Sequence, residues 1–313
     1  MSDSVTAFAP ASIGNVAVGF DMLGLALEGV GDRVEARRTA SDGVSVAEVR
    51  GLDGELHPYL STDPDHNTAS ISARALWNDH GTGGGLELKV FKGVPLQSGM
   101  GSSAASAVAA AFAANALLGK PLPTHELLKY ALVGEQYASG GLHADNVAPS
   151  LLGGMIFCPQ VLLPEVISLP VPKGVKAVLI HPELQINTAH SRRNLAKGYS
   201  LEQWLEQQAY FGGFLAACAS SDIDLIRKTL KDVIIEPQRK AAVSCFDAVK
   251  EAAEKGGALG VSLSGSGPSI FALCETNLAD NLATAMQQAC RGMGIDCQSF
   301  VSRLDAPGAH LQD

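Results

Sequence analysis

The segment PLQSGMGSSAA, at residues 95–105, is the most informative part of this 313-residue sequence. Its glycines, Gly99 and Gly101, allow the positive φ angles that curl a backbone into a cradle of N–H donors. The Ser/Ala run after them is typical of a helix start, so free amide groups and the positive end of the helix dipole face whatever the loop encloses. Ser102 and Ser103 add hydroxyls that can bind a phosphate oxygen or Mg²⁺. The segment predicts a phosphate-binding loop; taken alone, it also fits a glycine-rich hairpin with a serine N-cap.

Two widespread nucleotide motifs do not explain this loop. Walker A requires Gly, four residues and then Gly-Lys-Ser/Thr, and the chain contains no such segment. Residues 99–104 match the dinucleotide fingerprint Gly-x-Gly-x-x-Ala, but that fingerprint needs its glycines directly after a strand and an acid about 20 residues later. Here a proline-containing loop precedes the glycines, and the nearest acid, Glu126, is predicted in the first turn of a helix. The dinucleotide interpretation is therefore weak.

Composition limits the classes of partner. The chain has 23 Lys plus Arg against 32 Asp plus Glu, a net charge of −9, and no basic cluster, which argues against nucleic acid and anionic membranes as partners. The first ten residues lack the basic and apolar pattern of a signal peptide, and the longest apolar-rich stretch, residues 104–118, is too short to span a bilayer. The six cysteines show neither Cys-x-x-Cys nor zinc-finger spacing, so we expect them to be buried thiols. A reduced, soluble, cytoplasmic protein is expected.

Alternating helical and extended patterns divide the chain into two α+β halves. The predicted strands lie at residues 5–9, 22–27, 32–38, 42–54, 86–91, 153–157 and 175–180, and the predicted helices at residues 68–80, 103–118, 124–139, 201–218, 223–231, 239–255 and 277–291. Residues 158–174 hold four prolines and resemble a crossover between domains. We expect an N-terminal domain at residues 1–160, which carries the phosphate loop, and a C-terminal domain at residues 161–313.

Two further glycine-punctuated segments accompany the phosphate loop. Residues 10–24, PASIGNVAVGFDMLG, place Asn15 and Asp21 six positions apart. Residues 262–269, SLSGSGPS, form a second Gly/Ser loop between two apolar strands. Each segment alone could be an ordinary turn.

In this order the three segments resemble the GHMP small-molecule kinases, a family that includes galactokinases and mevalonate kinases. The resemblance runs from about Ala9 to Arg303. It implies a two-domain α+β fold in which the N-terminal domain carries the glycine-rich phosphate loop and binds ATP, and the C-terminal domain is ferredoxin-like.

Within this family, the branch of homoserine kinases is the most similar. Its further marks are HADNVAP at residues 143–149, the pair Gly153-Gly154, Thr188 with Arg192, and DVIIEPQR at residues 232–239. One departure is IGNVAV at residues 13–18, where many members have a Ser-Ala-Asn run followed by Gly-Pro-Gly. Asn15 and Asp21 nevertheless keep their separation.

The resemblance implies ATP-dependent phosphorylation of the side-chain hydroxyl of L-homoserine, giving O-phospho-L-homoserine for threonine biosynthesis. Glu135 and a loop serine, Ser103 rather than Ser102, would ligate Mg²⁺; without the resemblance, Glu135 fits a solvated helix face. The residues expected to hold ATP are Pro95, Leu96, Gln97, Ser98, Gly99, Met100, Gly101, Ser102, Ser103, Ala104 and Ala105, with a C-terminal glycine loop of Ser264, Gly265, Ser266 and Gly267.

The acceptor amino acid offers an ammonium, a carboxylate and a hydroxyl. Asp21 matches the ammonium, and the guanidinium groups of Arg192 and Arg239 match the carboxylate. For each arginine alone, a surface ion pair is the alternative. Asn15 and His143 resemble the family's remaining substrate contacts.

The residues expected to act at the transferred group are Asn15, Glu135, Asn146 and Thr188. Other members of the family use an Asp as base in a motif similar to Asp145-Asn146. A loose transition state needs positioning more than deprotonation, so we expect Asn146 to orient the hydroxyl and assign no base role to Asp145.

Two other functions stay open at this point. Another GHMP kinase, such as a mevalonate kinase, would act on a substrate without the ammonium–carboxylate pair that Asp21 and the two arginines match. A non-catalytic binding protein with this fold would need a lost Mg²⁺ ligand or a broken loop, and neither is visible. Members of the family are often homodimers, so a homodimer is a further expectation.

Overall fold

The computed structural model describes residues 3–312, and for residues 188 and 189 it describes the backbone only. Its strands are β1 (Ser4–Gly14), β2 (Leu23–Thr39), β3 (Gly43–Arg50), β4 (Gly85–Phe91), β5 (Met155–Phe157), β6 (Ile167–Leu169), β7 (Val175–Pro182), β8 (Gly260–Leu263), β9 (Ile270–Glu275), β10 (Cys297–Arg303) and β11 (His310–Gln312). Its α-helices are α1 (Thr68–His80), α2 (Ser102–Ala116), α3 (Leu128–Ser139), α4 (Val147–Leu152), α5 (Thr188–Arg193), α6 (Leu201–Ser220), α7 (Ile223–Thr229), α8 (Glu236–Arg239), α9 (Phe246–Lys255) and α10 (Ala279–Gly292).

The first sheet has the strand order β11-β1-β2-β4-β3, and β5 and β6 extend it from β2. Its strands pair antiparallel except β3 and β4, which run parallel. Helix α2 packs against β1, β2, α1 and α3. It is buried on nearly every side because it is built from alanines, whose small side chains let neighbouring elements approach closely. This packing holds the N-terminus of α2, and the glycine loop before it, in a fixed place.

The second sheet has the order β10-β7-β9-β8, and each pair in it is antiparallel. In chain order these are strands 4-1-3-2, with α9 before the β8–β9 hairpin and α10 before the last strand. This is the βαββαβ pattern of a ferredoxin-like domain. The prediction for the C-terminal half is confirmed.

Residues on both sides of position 160 share the first sheet. Strand β6 pairs with β5, and β11 pairs antiparallel with β1, where it covers the edge of the sheet. The sheets therefore do not divide at residue 160 as expected, because two short C-terminal segments return to the N-terminal sheet. Three-residue strands leave too little alternation in a sequence to be recognised.

The helix predicted at residues 239–255 is wrong at its start. A short helix, α8, ends at Arg239, a 3₁₀ turn follows at Lys240–Ala242, and α9 begins only at Phe246. The carboxylate of Asp232 accepts the backbone N–H groups of residues 234, 235 and 236, which fixes a separate turn before α8. All six cysteines are free and buried, as predicted. Within residues 3–312, no helix is long and apolar enough to cross a membrane.

Candidate active site

The three glycine-punctuated segments meet at one cavity of about 420 Å³, lined by residues from both halves of the chain. Most of the residues that the sequence predicts for the site belong to the lining of this cavity. They are Asn15, Asp21, Leu96, Gln97, Ser98, Gly99, Gly101, Ser102, Ser103, Glu135, His143, Asn146, Arg192, Arg239, Gly265 and Ser266.

The other expected site residues lie elsewhere. The side chains of Met100, Ala104 and Ala105 are fully buried in the hydrophobic core, so these residues support the loop from behind. Pro95 lines a neighbouring cavity of about 270 Å³. Ser264 and Gly267 lie outside the cavity lining, in the loop behind Gly99. The side chain of Thr188 lies outside the described residues.

The phosphate loop ends at Gly101, which is the N-cap of α2 and has a φ of 69°. No side chain of the described chain caps this helix end, so the serine N-cap expected of an ordinary hairpin is absent. The first amide groups of α2 are therefore available to an anion, and the helix dipole favours one there.

Close contacts explain why both loop positions carry glycine. A Cβ on Gly99, which has a φ of 76°, would lie 2.4 Å from the carbonyl oxygen of Ser264. A Cβ on Gly101 would lie 2.4 Å from Ser12 Oγ and 3.0 Å from Asn146 Oδ1. Ser264 Oγ also donates to the carbonyl of Gly99 at 2.6 Å. The C-terminal glycine loop thus braces the phosphate loop.

The two loop serines point to different partners. Ser103 Oγ donates to Glu135 Oε2 at 2.7 Å, whereas Ser102 Oγ donates back to the carbonyl of Val94 at 2.8 Å. Burial raises the pKa of Glu135 to about 7, although the Ser103 hydrogen bond opposes the shift. A hydroxyl beside a carboxylate is a donor set that suits Mg²⁺. Within the described ranges, no three His, Cys, Asp or Glu side chains cluster as metal ligands.

The loop after β1 contains a left-handed turn. Asn15, Val16 and Ala17 have φ angles of 68°, 42° and 57°, and the N–H of Gly19 donates to the carbonyl of Asn15 at 2.9 Å. This conformation is strained for residues with a Cβ, above all for a β-branched one such as Val16. The departure of residues 13–18 from the family pattern thus lies in a strained turn.

Hydrogen bonds of Asn15 hold this strained turn in place. Its Nδ2 donates to the carbonyl of Gly265 at 2.9 Å, and its Oδ1 accepts the N–H of Asp21 at 3.0 Å. Asp21 itself has a φ of 59°. Asn15 therefore connects the N-terminal loop to the C-terminal glycine loop and helps to place Asp21 at the cavity.

In the cavity lining, Asp21 lies between Arg192 and His143. Arg192 donates to both carboxylate oxygens of Asp21, and His143 Nδ1 lies 3.7 Å from its Oδ2. The hydrogen bonds to Asp21 raise the pKa of Arg192, while burial lowers that of His143. The guanidinium carbons of Arg192 and Arg239 lie 5.3 and 5.1 Å from the centre of the Phe20 ring. The ring of Phe20 therefore packs against both guanidinium groups.

Arg239 has fewer hydrogen-bond partners than Arg192. Its side chain is 5% exposed, and its Nη1 donates to the carbonyl of Gly265 at 3.0 Å. Its Nε is buried without a hydrogen-bond partner among the described residues. Burial and the charge of Arg192 lower the pKa of Arg239. The charges of Asp21, Asp145 and Asp232 oppose this shift. A buried guanidinium with an unpartnered N–H can bind an added anion.

Asp145 and Asn146 lie between the first two loops. Asn146 Oδ1 accepts the hydroxyl of Ser12 at 2.9 Å. Asp145 is 4% exposed, and burial, helped by the charge of Asp21, raises the pKa of its carboxyl to about 7. Both side chains line the cavity.

Sequence reasoning missed several residues of this site. Phe20 is inside a segment singled out for its neighbours, and Lys92 lies directly before the loop. Asp32 lies inside a predicted strand, where a charge that is 0% exposed is unusual, but nothing indicated its partner. The cavity lining also includes Val49, Leu60, His66, Val90 and Tyr137, which follow no motif.

Comparisons with known proteins identify the family of the chain. The family model for the GHMP kinases N terminal domain matches residues 67–154, and the model for the GHMP kinases C terminal region matches residues 214–292. The homoserine kinase of Xanthomonas campestris pv. campestris (strain B100) is 42% identical over 306 residues, which cover 97% of this chain and 93% of that protein. The homoserine kinase of Chloroherpeton thalassium is 40% identical over 298 residues, 92% of each chain.

Solved structures show the same fold. A crystal structure of homoserine kinase from Cytophaga hutchinsonii has a TM-score of 0.95 at 40% sequence identity and covers 100% of this chain and 98% of its own. A crystal structure of mevalonate kinase has a TM-score of 0.70 at 14% identity and covers 96% of this chain and 99% of its own. The second likeness concerns the fold alone.

Proposed function

The chain belongs to the GHMP kinase family, and on this premise we propose that it transfers the γ-phosphoryl group of ATP to the side-chain hydroxyl of L-homoserine. The two-domain fold and the family predicted from the sequence are confirmed by the two family models and by the structural match. The similar proteins named homoserine kinase span nearly the whole chain. The product, O-phospho-L-homoserine, would serve threonine biosynthesis.

The nucleotide fits the part of the cavity that the phosphate loop borders. The uncapped N-terminus of α2 and the loop amides supply positive potential for the phosphates despite the net charge of the chain. The apolar side chains of Val49, Leu60 and Val90 offer a surface for the base at the same cavity. We assign the phosphates to residues 98–103 and the base to this wall.

Ser103 and Glu135 would hold Mg²⁺, since their oxygens lie 2.7 Å apart at the start of α2. The ion, when bound, neutralises charge that develops on the transferred phosphoryl group. Ser102 donates its hydroxyl to the carbonyl of Val94, so we assign it to holding the shape of the loop and not to binding the ion.

The acceptor end selects an amino acid. Arg239 carries this part of the proposal, because its guanidinium is buried and its Nε has no hydrogen-bond partner among the described residues. Arg192 is already bound to Asp21, so we assign the substrate carboxylate to Arg239 first and to Arg192 second. Asp21 would receive the ammonium, with His143 beside it. This assignment distinguishes homoserine from mevalonate and sugars, which have no ammonium.

The transfer requires the two reacting groups to be aligned and does not require a general base. The transition state of phosphoryl transfer is loose, so alignment and charge neutralisation supply most of the acceleration. We propose that Asn146 and Thr188 orient the acceptor hydroxyl and that Asn15 acts by holding its loop, because both ends of its amide are bound within the protein. A cytoplasmic location and a homodimer stay predictions from the family, the latter measurable by light scattering.

The deciding experiment compares acceptors with and without a carboxylate. Arg239→Leu should lower kcat/KM for homoserine by roughly 30-fold or more, because a buried substrate carboxylate left unpaired costs about 2–5 kcal/mol. The KM for ATP should change little, and 3-aminopropan-1-ol, which lacks the carboxylate, should be a poor substrate that loses little more in the variant. Arg303→Leu, an exposed arginine on β10, is the matched control. Equal losses on both acceptors, or a parent enzyme that prefers mevalonate or galactose, would contradict the proposal.

A further inference from the structure

A buried ion pair lies beneath the phosphate loop. Asp32, on β2, is 0% exposed, and Lys92, directly after β4, is 7% exposed. Lys92 Nζ donates to Asp32 Oδ2. Neither residue belongs to a motif that the function above uses.

The pair reaches both ends of the loop. Asp32 Oδ1 accepts the N–H groups of Gly93 at 2.9 Å and Val94 at 3.0 Å, where the loop begins. Lys92 Nζ donates to the carbonyl of Ser102 at 2.8 Å, where α2 begins. A single ion pair therefore fixes the separation between the start and the end of residues 93–102.

One hydroxyl closes the network. Ser106 Oγ accepts from Lys92 Nζ at 2.8 Å and donates to Asp32 Oδ2 at 2.6 Å. The three N–H groups of the lysine thus have three partners, and each oxygen of Asp32 accepts two hydrogen bonds. Because its donors are all used, Lys92 supports the cradle and is not free to bind a phosphate.

A buried ion pair of this kind adds little to the stability of the folded protein. Two buried charges lose their hydration, and a lysine at a helix N-terminus is repelled by the helix dipole. Well-packed apolar residues of the same size often stabilise a protein as well as a buried ion pair does. What the ion pair does provide is a fixed loop geometry, because its hydrogen bonds hold both ends of the loop.

We propose that Asp32 and Lys92 are positioning residues for nucleotide binding, which act by holding both ends of the phosphate loop. They direct the amide groups of residues 99–103. Lys92 also lines the cavity, but its three donors are bound within the protein, so we assign it to holding the loop. The inference deepens the proposed function and rests on it, since it names how the ATP site is shaped.

The test separates loop geometry from stability. Lys92→Met leaves Asp32 charged and unpaired, so this variant should lose both melting temperature and ATP affinity. The double variant Asp32→Asn/Lys92→Met removes both charges and keeps an acceptor for the amides of Gly93 and Val94. It should regain most of the melting temperature, while its calorimetric Kd for ATP stays at least about tenfold above that of the parent. Its KM for homoserine should stay within about twofold.

Two further variants keep the test decisive. Ser106→Ala removes the bridging hydroxyl and leaves both charges, so it should weaken ATP binding severalfold. Ser302→Ala is the matched control, because Ser302 is a buried serine with two hydrogen bonds on β10, away from the loop. It should leave ATP binding unchanged at a comparable loss of stability. If the double variant does not fold, the comparison of these two serines decides.

Recovery of ATP affinity together with melting temperature in the double variant would overturn the inference, as would equal effects of the two serine variants. A parent protein that binds ATP but phosphorylates no homoserine would contradict the proposed function instead. In that case the ATP titrations of the same variants still decide the role of the ion pair.

Discussion

Arg192 binds Asp21 through both terminal nitrogens, with Nη1 2.8 Å from Oδ2 and Nη2 2.6 Å from Oδ1. The carboxylate expected to meet the substrate ammonium is therefore already held by a cation. Both side chains are partly exposed, at 35% for the arginine and 25% for the aspartate, so the pair adds little to stability. Its consequence is geometric: the fork of Arg192 fixes the direction of Asp21.

The effects of Arg192→Leu and Asp21→Asn on kcat/KM should therefore not be additive. Each single variant should raise the KM for homoserine and leave the KM for ATP nearly unchanged. The double variant should lose less than the sum of the two, with a coupling free energy of about 0.5–3 kcal/mol from kcat/KM. The exposed pair Arg37–Glu87, also 2.8 Å apart, is the control and should show coupling near zero. Additive losses at Arg192 and Asp21 would contradict the shared role.

The sequence predicts those parts of the site whose geometry is set within a single short segment. A glycine loop followed by small residues indicates an uncapped helix start because both features lie within one segment. Only the resemblance predicts Glu135 near Ser103, and in the structure Ser103 Oγ lies 2.7 Å from Glu135 Oε2. Helical spacing alone leaves Glu135 on a solvated face, since it does not show which face α3 presents to α2.

The parts that escaped prediction depend on contacts between distant segments. Asp32 and Lys92 are separated by 60 positions; Asp32 lies within β2, and Lys92 directly follows β4. Val16 adopts a left-handed conformation that β-branched residues avoid, so its sequence argues against the turn that the fold imposes. That turn is held by Gly265, which lies 250 positions from Asn15.

Gly101→Val should abolish ATP binding and should also lower stability. The left-handed conformation alone costs a residue with a Cβ about 1–2 kcal/mol, and the added carbon would meet Ser12 Oγ at 2.4 Å. The side chain would also disturb the amide groups that face the phosphates. Calorimetric ATP titration and thermal melting measure the two effects. Gly119→Ala, at a position with open space around it, should change neither. Parental ATP affinity in Gly101→Val would show that the loop is not the phosphate cradle.

Asp145→Asn should become relatively more stable than the parent as the pH rises. The pKa of Asp145 is about 7 in the folded protein, against 3.8 as its ordinary value. Between those values the folded state holds the proton more tightly than the unfolded state, so the parent loses stability with rising pH. The full loss, about 1.4 kcal/mol for each unit of pKa difference, is reached above pH 7. Chemical denaturation of both proteins from pH 4 to pH 8 measures it; a pH-independent difference would contradict the prediction.

Glu135→Gln should lower kcat by about 10²-fold or more while the KM for homoserine changes little. The substitution keeps the size of the side chain and its hydrogen bond from Ser103, but it removes the anionic oxygen that would hold Mg²⁺, and the acceptor pocket around Arg239 is untouched. Ser103→Ala should cost less, because a neutral hydroxyl is a weaker ligand. Glu126→Gln, an exposed glutamate before α3, is the control and should keep parental turnover. Steady-state kinetics at saturating Mg²⁺ decide the matter, and near-parental turnover in Glu135→Gln would make this residue structural.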